Sequence, residues 1–588
     1  MTLTNWLLII AIVSPLALLP LLRPPAWRKG VLRLAPLGAL PALLLALFGL
    51  EGEGVPLPWI FLGAELGLDD TGRIFLLFTA WLWILATWFA VSDRRLLHGH
   101  LFLLFWLSAM AGNFGLILAR DLITFNVFFT LMGLSAYGLI IHRRKPFALR
   151  AGRIYLSLVL LGEVLIFIGL VGLVWQSGGG VQLNEPGATE GIPFILALSL
   201  LLGFGIKAGI LPLHFWLPLA HPAAPVPASA VLSGCMIKAG LLGWLRFLPG
   251  GGDSSLDLAP FCLLTGLLAT FYGVVRGLGQ QDPKTVLAWS SVSQMGVLTV
   301  GLGLWLGGGA GRETALAATV IFAAHHALAK GALFLTVGVA DENPKPARLL
   351  ALIPALSLAG APFSSGFVAK NLLLEATTNP VPRQIGPFDG SRGLWSLLLS
   401  VGSVLTALLM LHFLHRLVNV QQHHPLQRSA KLTCAGRLPP QKGVSRVGLL
   451  PPLLLLILSG LPPLWQMVPP LAELLNTAPP IGTGKAASAL LPLLSALLLA
   501  RPVAKLLKPG ANQGALSKQA DIFTAILHGW QHSADRAKNL QAAIHCRHHH
   551  LSRSWNHKGR RLEEVISSWP TAGCCSLALV LLLFLLLR

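Results

Sequence analysis

The sequence is short of charge. Only 11% of its 588 residues are Asp, Glu, Lys or Arg, against 54% hydrophobic residues; a soluble domain carries about 25% charged residues. With a mean hydropathy of +0.70, this excludes an ordinary soluble domain and points to a polytopic membrane protein. Acid is scarcer still, with 23 acidic against 44 basic residues and a net charge of +21. In a soluble protein that balance would raise nucleic-acid binding. Here the basic residues gather in loops and one C-terminal segment, and nothing between the apolar runs resembles a nucleic-acid module. Membrane topology and anionic lipid account for them, and no nucleic-acid partner is expected. The six cysteines, Cys235, Cys262, Cys434, Cys546, Cys574 and Cys575, form no CxxC pair and no metal-ligand spacing. No GxGxxG or Walker sequence opens a helix after a strand. An iron–sulfur cluster, a structural zinc and a bound nucleotide are therefore not expected, and neither is any cofactor in this chain. Residues 1–22 lack a basic n-region and a clear cleavage site, so they read as a retained first span.

What the sequence has is apolar runs long enough to cross a bilayer. They fall near 3–21, 31–50, 73–91, 99–118, 122–141, 152–175, 192–220, 228–247, 259–278, 284–306, 313–339, 347–376, 393–416, 447–468, 485–507 and 572–587, about sixteen in all. The loops alternate in charge: RPPAWRKGVLR, SDRRLLHGH and HRRKPFALRAGR on one side, EGEGVPLPW, QSGGGVQLNEPGATEG and GGGDSSLD on the other. Basic loops favour the cytoplasm, which places the N-terminus outside.

The run 192–220 is interrupted. It contains Lys207, Pro212 and, in the same segment, His214. Proline removes a helical hydrogen bond and clashes with the carbonyl four residues back, here that of Ala208. Broken backbone at membrane depth survives only inside protein or beside a wet cavity. The run 347–376 is interrupted too, by Pro354 and Pro362, and carries Lys370. These two runs occupy the same place in two successive sets of five spans, 99–247 and 259–416. Five is odd, so the second set runs inverted, the pattern of an inverted-repeat transporter. The expected fold is an all-α polytopic membrane protein of two inverted five-helix repeats, each with a Pro-broken helix. Its divisions are N-terminal transmembrane helices (1–98), first half-channel (99–250), second half-channel (251–420), additional transmembrane helices (421–509), a basic amphipathic surface segment (510–571) and a C-terminal anchor (572–588). In the surface segment Ile522, Ile526, Trp530, Leu540 and Ile544 recur at helical spacing among basic residues. The run HCRHHH at 545–550 offers metal ligands, but no acidic or cysteine partner is patterned with it, so the favoured reading is a part of that basic interfacial helix and metal binding is the alternative.

A charge inside a span costs a few kcal/mol, so such residues are candidates for function. They are Glu163, Lys207, Lys238, His325, His326, Lys330 and Lys370. His326 and Lys330 share a helix face. Burial favours the neutral form of lysine and histidine, so a buried row of them can exchange protons near neutral pH. Thr130, Ser135, Ser290, Ser291, Ser293, Ser364 and Ser365 lie near the row and can hold bridging water; each can equally satisfy a backbone carbonyl.

At these residues the chain resembles the antiporter-like subunits of respiratory complex I, the group 4 membrane-bound hydrogenases and the Mrp sodium/proton antiporters. The motifs that carry the resemblance are GIKAGILPLHFWLPLAHPAAPVPASAVLSGCMIKAG, DPKTVLAWSSVSQMGVL, HHALAKGALFL and APFSSGFVAKN. The likeness covers about residues 70 to 420, and LPLAHPAAP is most similar to the hydrogenase-associated branch, formate hydrogenlyase included. It implies a 14-helix core and a proton path: Lys207 as the first-half lysine, Lys238 as the connecting lysine, His326 and Lys330 as the second-half relay, and Lys370 as the terminal lysine. It also implies other membrane subunits bearing a peripheral redox or hydrogenase arm, and membrane lipids, as partners. One departure matters. Where the family carries a glutamate in a stretch like WELMGL, this chain has FTLMGLSAY, with Thr130 at the glutamate position. Glu163, one helix later, is the expected substitute; the alternatives are that Lys207 works without a carboxylate or that the first half-channel is degenerate. Asn371, after the terminal lysine, is a smaller departure. An Mrp-type sodium/proton antiporter subunit, an energising subunit of an inorganic-carbon uptake system and a structural subunit with a dead channel are the rival readings.

Overall fold

The computed structural model describes residues 2–92 except 51, 53 and 62, then 100–179, 191–250, 253–309, 311–340, 344–378 and 392–418, with parts of 451–506. The expected surface segment 510–571, its histidine run at 545–550 and the anchor 572–588 lie outside the described residues, as does most of the expected span 447–468.

The chain begins with α1 (Leu3–Ala17), capped by the Thr2 hydroxyl accepting from the Asn5 amide. A single span was expected over 31–50. Pro36 and Pro41 interrupt it, and the chain forms α2 (Arg28–Leu34), a 3-10 turn (Ala35–Ala39) and α3 (Leu40–Phe48) instead. The all-helical expectation missed a small antiparallel hairpin of β1 (Gly54–Leu57) and β2 (Ala64–Gly67). Then come α4 (Asp70–Ser92), α5 (His100–Leu118), α6 (Leu122–Ile140) and α7 (Pro146–Gln176). Pro146 at the first helical position starts α7 nearly two turns before the apolar run. Asp121 joins hairpin to bundle: Oδ2 accepts from the Glu65 amide and Oδ1 caps α6 through the Thr124 amide. Arg246 donates to the Leu116, Ile117 and Ala119 carbonyls at the end of α5 and pairs with Asp69 at 2.8 Å. The last turn of α5 thus finds partners for its orphan acceptors.

The middle of the chain is α8 (Phe194–Ala208), α9 (Trp216–Ala223), α10 (Val226–Val231), α11 (Lys238–Phe247), α12 (Asp253–Leu278), α13 (Pro283–Leu306) and α14 (Arg312–Ala340). α15 (Pro344–Ala359), α16 (Ser365–Thr378) and α17 (Arg392–Val418) follow, then α18 (Pro462–Gln466) and α19 (Leu490–Leu506). Among the described residues eleven helical segments are long and apolar enough to span a membrane, so this is a multi-pass membrane protein. The run 347–376 is not among the eleven; it is split into α15 and α16.

α13 and α14 are buried on nearly every face. α12 and α13 touch backbone to backbone, since a Cβ on Gly266 would stand 2.6 Å from the Gly296 carbonyl oxygen and one on Gly296 2.5 Å from that of Gly266. Small residues at such contacts are how helices associate in lipid. α7, by contrast, exposes Leu160, Leu161, Val164, Phe167, Ile168 and Val171, an apolar face suited to lipid. The centre is where the polar groups are kept.

Candidate functional site

Two helix breaks frame the site, and both are closed by the same motif. α8 ends at Gly209, which is left-handed (φ +75°); the Ile210 amide donates to Gly205 O at 3.1 Å and the Gly209 amide to Ile206 O at 3.2 Å. α15 ends at Gly360 (φ +88°); the Ala361 amide donates to Leu356 O at 3.0 Å and the Gly360 amide to Ser357 O at 2.9 Å. Each pair is a Schellman closure, with glycine at the position where a Cβ is penalised. The sequence placed the first break on Pro212, yet the helix already stops at Ala208. Pro212 only keeps it from resuming before the short turn Leu213–Phe215. Pro362 stands in the same way between Gly360 and α16. A third irregularity lies between α10 and α11, where Leu232–Met236 forms a π-helical turn.

The lysines sit at these irregular places. Lys238 Nζ donates to the Ser233 carbonyl inside the π turn at 2.5 Å. Lys370 Nζ donates at 3.0 Å to Ala359 O, the last carbonyl of α15, where the helix dipole favours a cation. Lys330 Nζ donates to Leu287 O at 2.8 Å. Lys207, two residues before Gly209, is the exception: Nζ donates to the Tyr155 hydroxyl at 2.9 Å, and that hydroxyl donates to Gly133 O at 2.8 Å.

In the first half, Thr130 Oγ1 donates to Glu163 Oε2 at 2.6 Å. The residue at the family's glutamate position therefore holds the glutamate one helix on. Glu163 and Lys207 lie within each other's field and line one cleft with Phe129, Val159, Gly162, Gly203 and Ile206. They form no direct ion pair in the structure. Lys207 and Lys238 share no hydrogen bond among the described residues.

In the second half Lys238 and Lys330 are linked through two serines and main-chain carbonyls. Ser233 Oγ and Ser291 Oγ are 2.8 Å apart, and Ser291 Oγ donates at 3.0 Å to Leu287 O, the same carbonyl that takes Lys330. A hydrogen-bonded thread thus runs from the π turn that binds Lys238 to Lys330. Of the serines singled out in the sequence, Ser291 lies on this thread, whereas Ser293 donates to Thr270 O and Ser364 to Ala361 O. His326 is fully buried, neither ring nitrogen has a hydrogen-bond partner among the described residues, and both Lys238 and Lys330 act on it electrostatically. His325 Nδ1 lies 2.9 Å from Ser365 Oγ, which lies 3.2 Å from Ser357 Oγ. This separate cluster stands at the second break, where Lys370 borders a cavity of about 20 Å³ with Gln294, Ser403 and Thr406. His214 packs its ring against Phe215, Tyr272 and Trp289.

Three residues of the site escaped the sequence reading. Lys284 is buried and donates to Ala224 O, in the extended link between α9 and α10. It had read as a span-end residue because it follows Asp282–Pro283. His221 is fully buried, stacks on Phe334 at 4.6 Å and feels Lys284, Lys330 and Lys238; a histidine between two prolines of an apolar run was the available signal. Tyr155 is the single tyrosine of α7, and only its contact with Lys207 reveals it.

Residues 119–385 match the family described as NADH:quinone oxidoreductase/Mrp antiporter, TM. Hydrogenase-4 component B of Escherichia coli K12 is 30% identical over 297 residues, 48% of this chain and 44% of that one. The putative antiporter subunit mnhA2 of Staphylococcus aureus MRSA252 is 30% identical over 363 residues, 55% of this chain and 45% of that one. NADH-quinone oxidoreductase subunit M of Escherichia coli K12 is 27% identical over 374 residues, 56% of this chain and 72% of that one. The chain spans less than half the length of the first two relatives. The solved Mrp complex from Dietzia sp. DQ12-45-1b contains a chain of the same fold, with a TM-score of 0.72, 18% identity, and 99% of this chain and 62% of that one covered. Both broken helices and every lysine of the buried row fall inside the matched residues, so the stretch that carries the candidate site is the stretch that is similar to the NADH:quinone oxidoreductase/Mrp antiporter transmembrane family.

Proposed function

We propose that this chain is a proton-translocating, antiporter-like subunit of a multi-subunit complex in the cell's inner (plasma) membrane, its N-terminus outside and its arginine-rich loops in the cytoplasm. The path runs from Glu163 and Lys207 through Lys238 to His326 and Lys330, and out past His325 to Lys370. The observation that carries the reading is the Ser233–Ser291–Leu287 thread between Lys238 and Lys330, with a separate hydrogen-bonded cluster of His325, Ser365 and Ser357 at the second break. Buried groups this close titrate as sets, so a proton gained at one alters its neighbours. The matching closures at Gly209 and Gly360 support two inverted repeats. The Thr130–Glu163 bond supports Glu163 as the partner carboxylate and argues against a dead first half.

The driving partner on this reading is a peripheral redox or hydrogenase arm, in keeping with the hydrogenase and quinone-oxidoreductase relatives. Sodium/proton exchange of Mrp type is the second reading, favoured by the fold match to the Mrp complex. The test is purification of the native complex, identification of its subunits by mass spectrometry, and proton uptake by vesicles with and without sodium. Iron–sulfur or hydrogenase subunits and sodium-independent uptake that Lys330→Ala and Lys370→Ala abolish are the expected result. Sodium-dependent uptake selects the second reading, and uptake unaffected by both substitutions refutes the relay.

A further inference from the structure

The first half contains a residue whose role the relay leaves open. Gly133 lies one turn beyond Thr130 on α6, and a Cβ there would stand 3.6 Å from Glu163 Oε1 and 3.9 Å from Lys207 Nζ. Glu163 and Lys207 also line one cleft with room for about one water. Glu163 Oε1 is buried and has no hydrogen-bond partner among the described residues; its other oxygen takes Thr130. Lys207 does not cross the cleft to reach it. The ammonium turns to Tyr155, whose hydroxyl accepts at 2.9 Å and whose ring centroid is 5.4 Å away. That hydroxyl is itself fixed, since its proton goes to Gly133 O at 2.8 Å. The ring is fully buried and packs edge-on against Trp216 at 5.1 Å, and the Trp216 indole is tied to Ile206 O at 2.7 Å.

We propose that Tyr155 is a positioning residue of the first half-channel: its hydroxyl holds the Lys207 ammonium on one side of a water-sized cleft and leaves Glu163 Oε1 facing that water. The proposal rests on the relay reading and deepens it. A direct ammonium–carboxylate contact in a buried site holds both charges in place, and separating them leaves each uncompensated. A neutral hydroxyl directs the lysine without cancelling its charge. The proton then leaves Lys207 as an ammonium proton, passes through the water, and arrives on Glu163 as a carboxylic acid. Lysine becomes the neutral amine, and the water is regenerated. A side chain at Gly133 would stand beside both Glu163 Oε1 and Lys207 Nζ.

The test uses the full chain in its native membrane complex and reads Glu163 directly, by mass-spectrometric quantification of its modification by an apolar carbodiimide, which reacts with protonated carboxyls. Tyr155→Phe keeps the ring and removes the hydroxyl, so Lys207 swings to Glu163 and holds it as a carboxylate. Labelling of Glu163 at neutral pH is expected to fall about tenfold, the factor of one unit in proton affinity, and proton transport to fall with it. Adding Gly133→Ala puts a methyl beside both groups, blocks the swing, and is expected to restore labelling but not transport. Unchanged labelling in Tyr155→Phe overturns the proposal, as does a double variant that labels no better than the single one. The relay reading fails separately, if Glu163→Gln transports normally.

Discussion

The two glycine closures permit a controlled perturbation. Gly209 and Gly360 both end a half-helix in the left-handed region, at φ +75° and +88°. Alanine at either position costs about 1–2 kcal/mol in backbone strain, offset by about 0.4–1 kcal/mol because the unfolded alanine chain is less free. The backbone effect is thus about 1 kcal/mol at both. The surroundings differ. At Gly209 the new methyl meets Leu217 Cδ1 at 3.1 Å, the end of a flexible side chain. At Gly360 it meets Lys370 Cδ at 2.9 Å and Nζ at 3.4 Å, so the stem must move and the 3.0 Å bond to Ala359 O is lost. A hydrogen bond to a charged group contributes about 1.5–3 kcal/mol. Gly360→Ala should therefore destabilise by about 2.5–4 kcal/mol and Gly209→Ala by about 1 kcal/mol, read as thermal or denaturant unfolding of the purified protein in one detergent. Proton uptake into vesicles should fall at least tenfold in Gly360→Ala and stay near wild type in Gly209→Ala. Equal transport in the two variants would refute the assignment of Lys370 to the path and the use of its carbonyl contact.

Ser291→Ala cuts the thread between Lys238 and Lys330 and strands the Ser233 hydroxyl; it should cost about 1–2 kcal/mol and slow transport several-fold. Ser293→Ala, whose hydroxyl serves Thr270 O, should cost a similar amount and leave transport unchanged. Glu163→Gln should impair transport, and Glu163→Gln with Thr130→Glu should recover part of it, because that places a carboxylate on the helix facing Lys207. At the Asp69–Arg246 clamp, burial raises the Asp69 carboxyl, but Arg246 and Arg120 outweigh it and hold the group below the usual aspartate value. A depressed folded value means the clamp's contribution is complete above the unfolded aspartate value of about 4. It is lost as pH falls through the lower folded value. Melting temperature against pH should show that acid-side loss in the wild type and a flatter curve in Asp69→Asn.

Much of the fold was legible because a bilayer reduces the problem to runs of apolar residues. Eleven of the expected spans stand as helical segments long enough to cross a membrane, from Leu3–Leu22 to Leu394–Val418, the run Phe194–Ala223 among them with its break. The failures have local causes. The run 31–50 is apolar enough but too rich in proline to be one helix, and hydropathy does not register Pro36 and Pro41. The hairpin 54–57/64–67 is held by Asp121, fifty-six residues from its partner Glu65, a distance no local pattern reports. At the breaks, attention went to proline, whereas the backbone turns on glycine; φ is invisible in composition. The ionisable residues stood out because each is costly in lipid. Their partners did not, because backbone carbonyls and a single tyrosine hydroxyl carry no sequence signal.

Those partners explain why lysines and breaks occur together. Lys238, Lys284, Lys330 and Lys370 each donate to a main-chain carbonyl. Three of the four carbonyls lie where helix is interrupted: the π turn, the extended link at Ala224 and the end of α15. A carbonyl freed by a break needs a donor, and a buried ammonium needs an acceptor, so each irregularity and its lysine satisfy one another. A charged donor makes a bond about twice as strong as a neutral one. When the lysine gives up its proton the amine still donates, and the site loses only about 1 kcal/mol of hydrogen bonding. That is small enough for a neighbouring charge to reverse. A lysine paired with a buried carboxylate would lack this property, since losing its proton would strand an anion at a cost of several kcal/mol. Of Lys207, Lys238, Lys330 and Lys370, Lys207 is the one with a carboxylate in its field among the described residues, and it is also the one held by a side-chain hydroxyl. On this argument the two facts are one: where the sequence supplies Glu163 within reach, something neutral must keep the lysine from closing on it, and Tyr155 is the group in position.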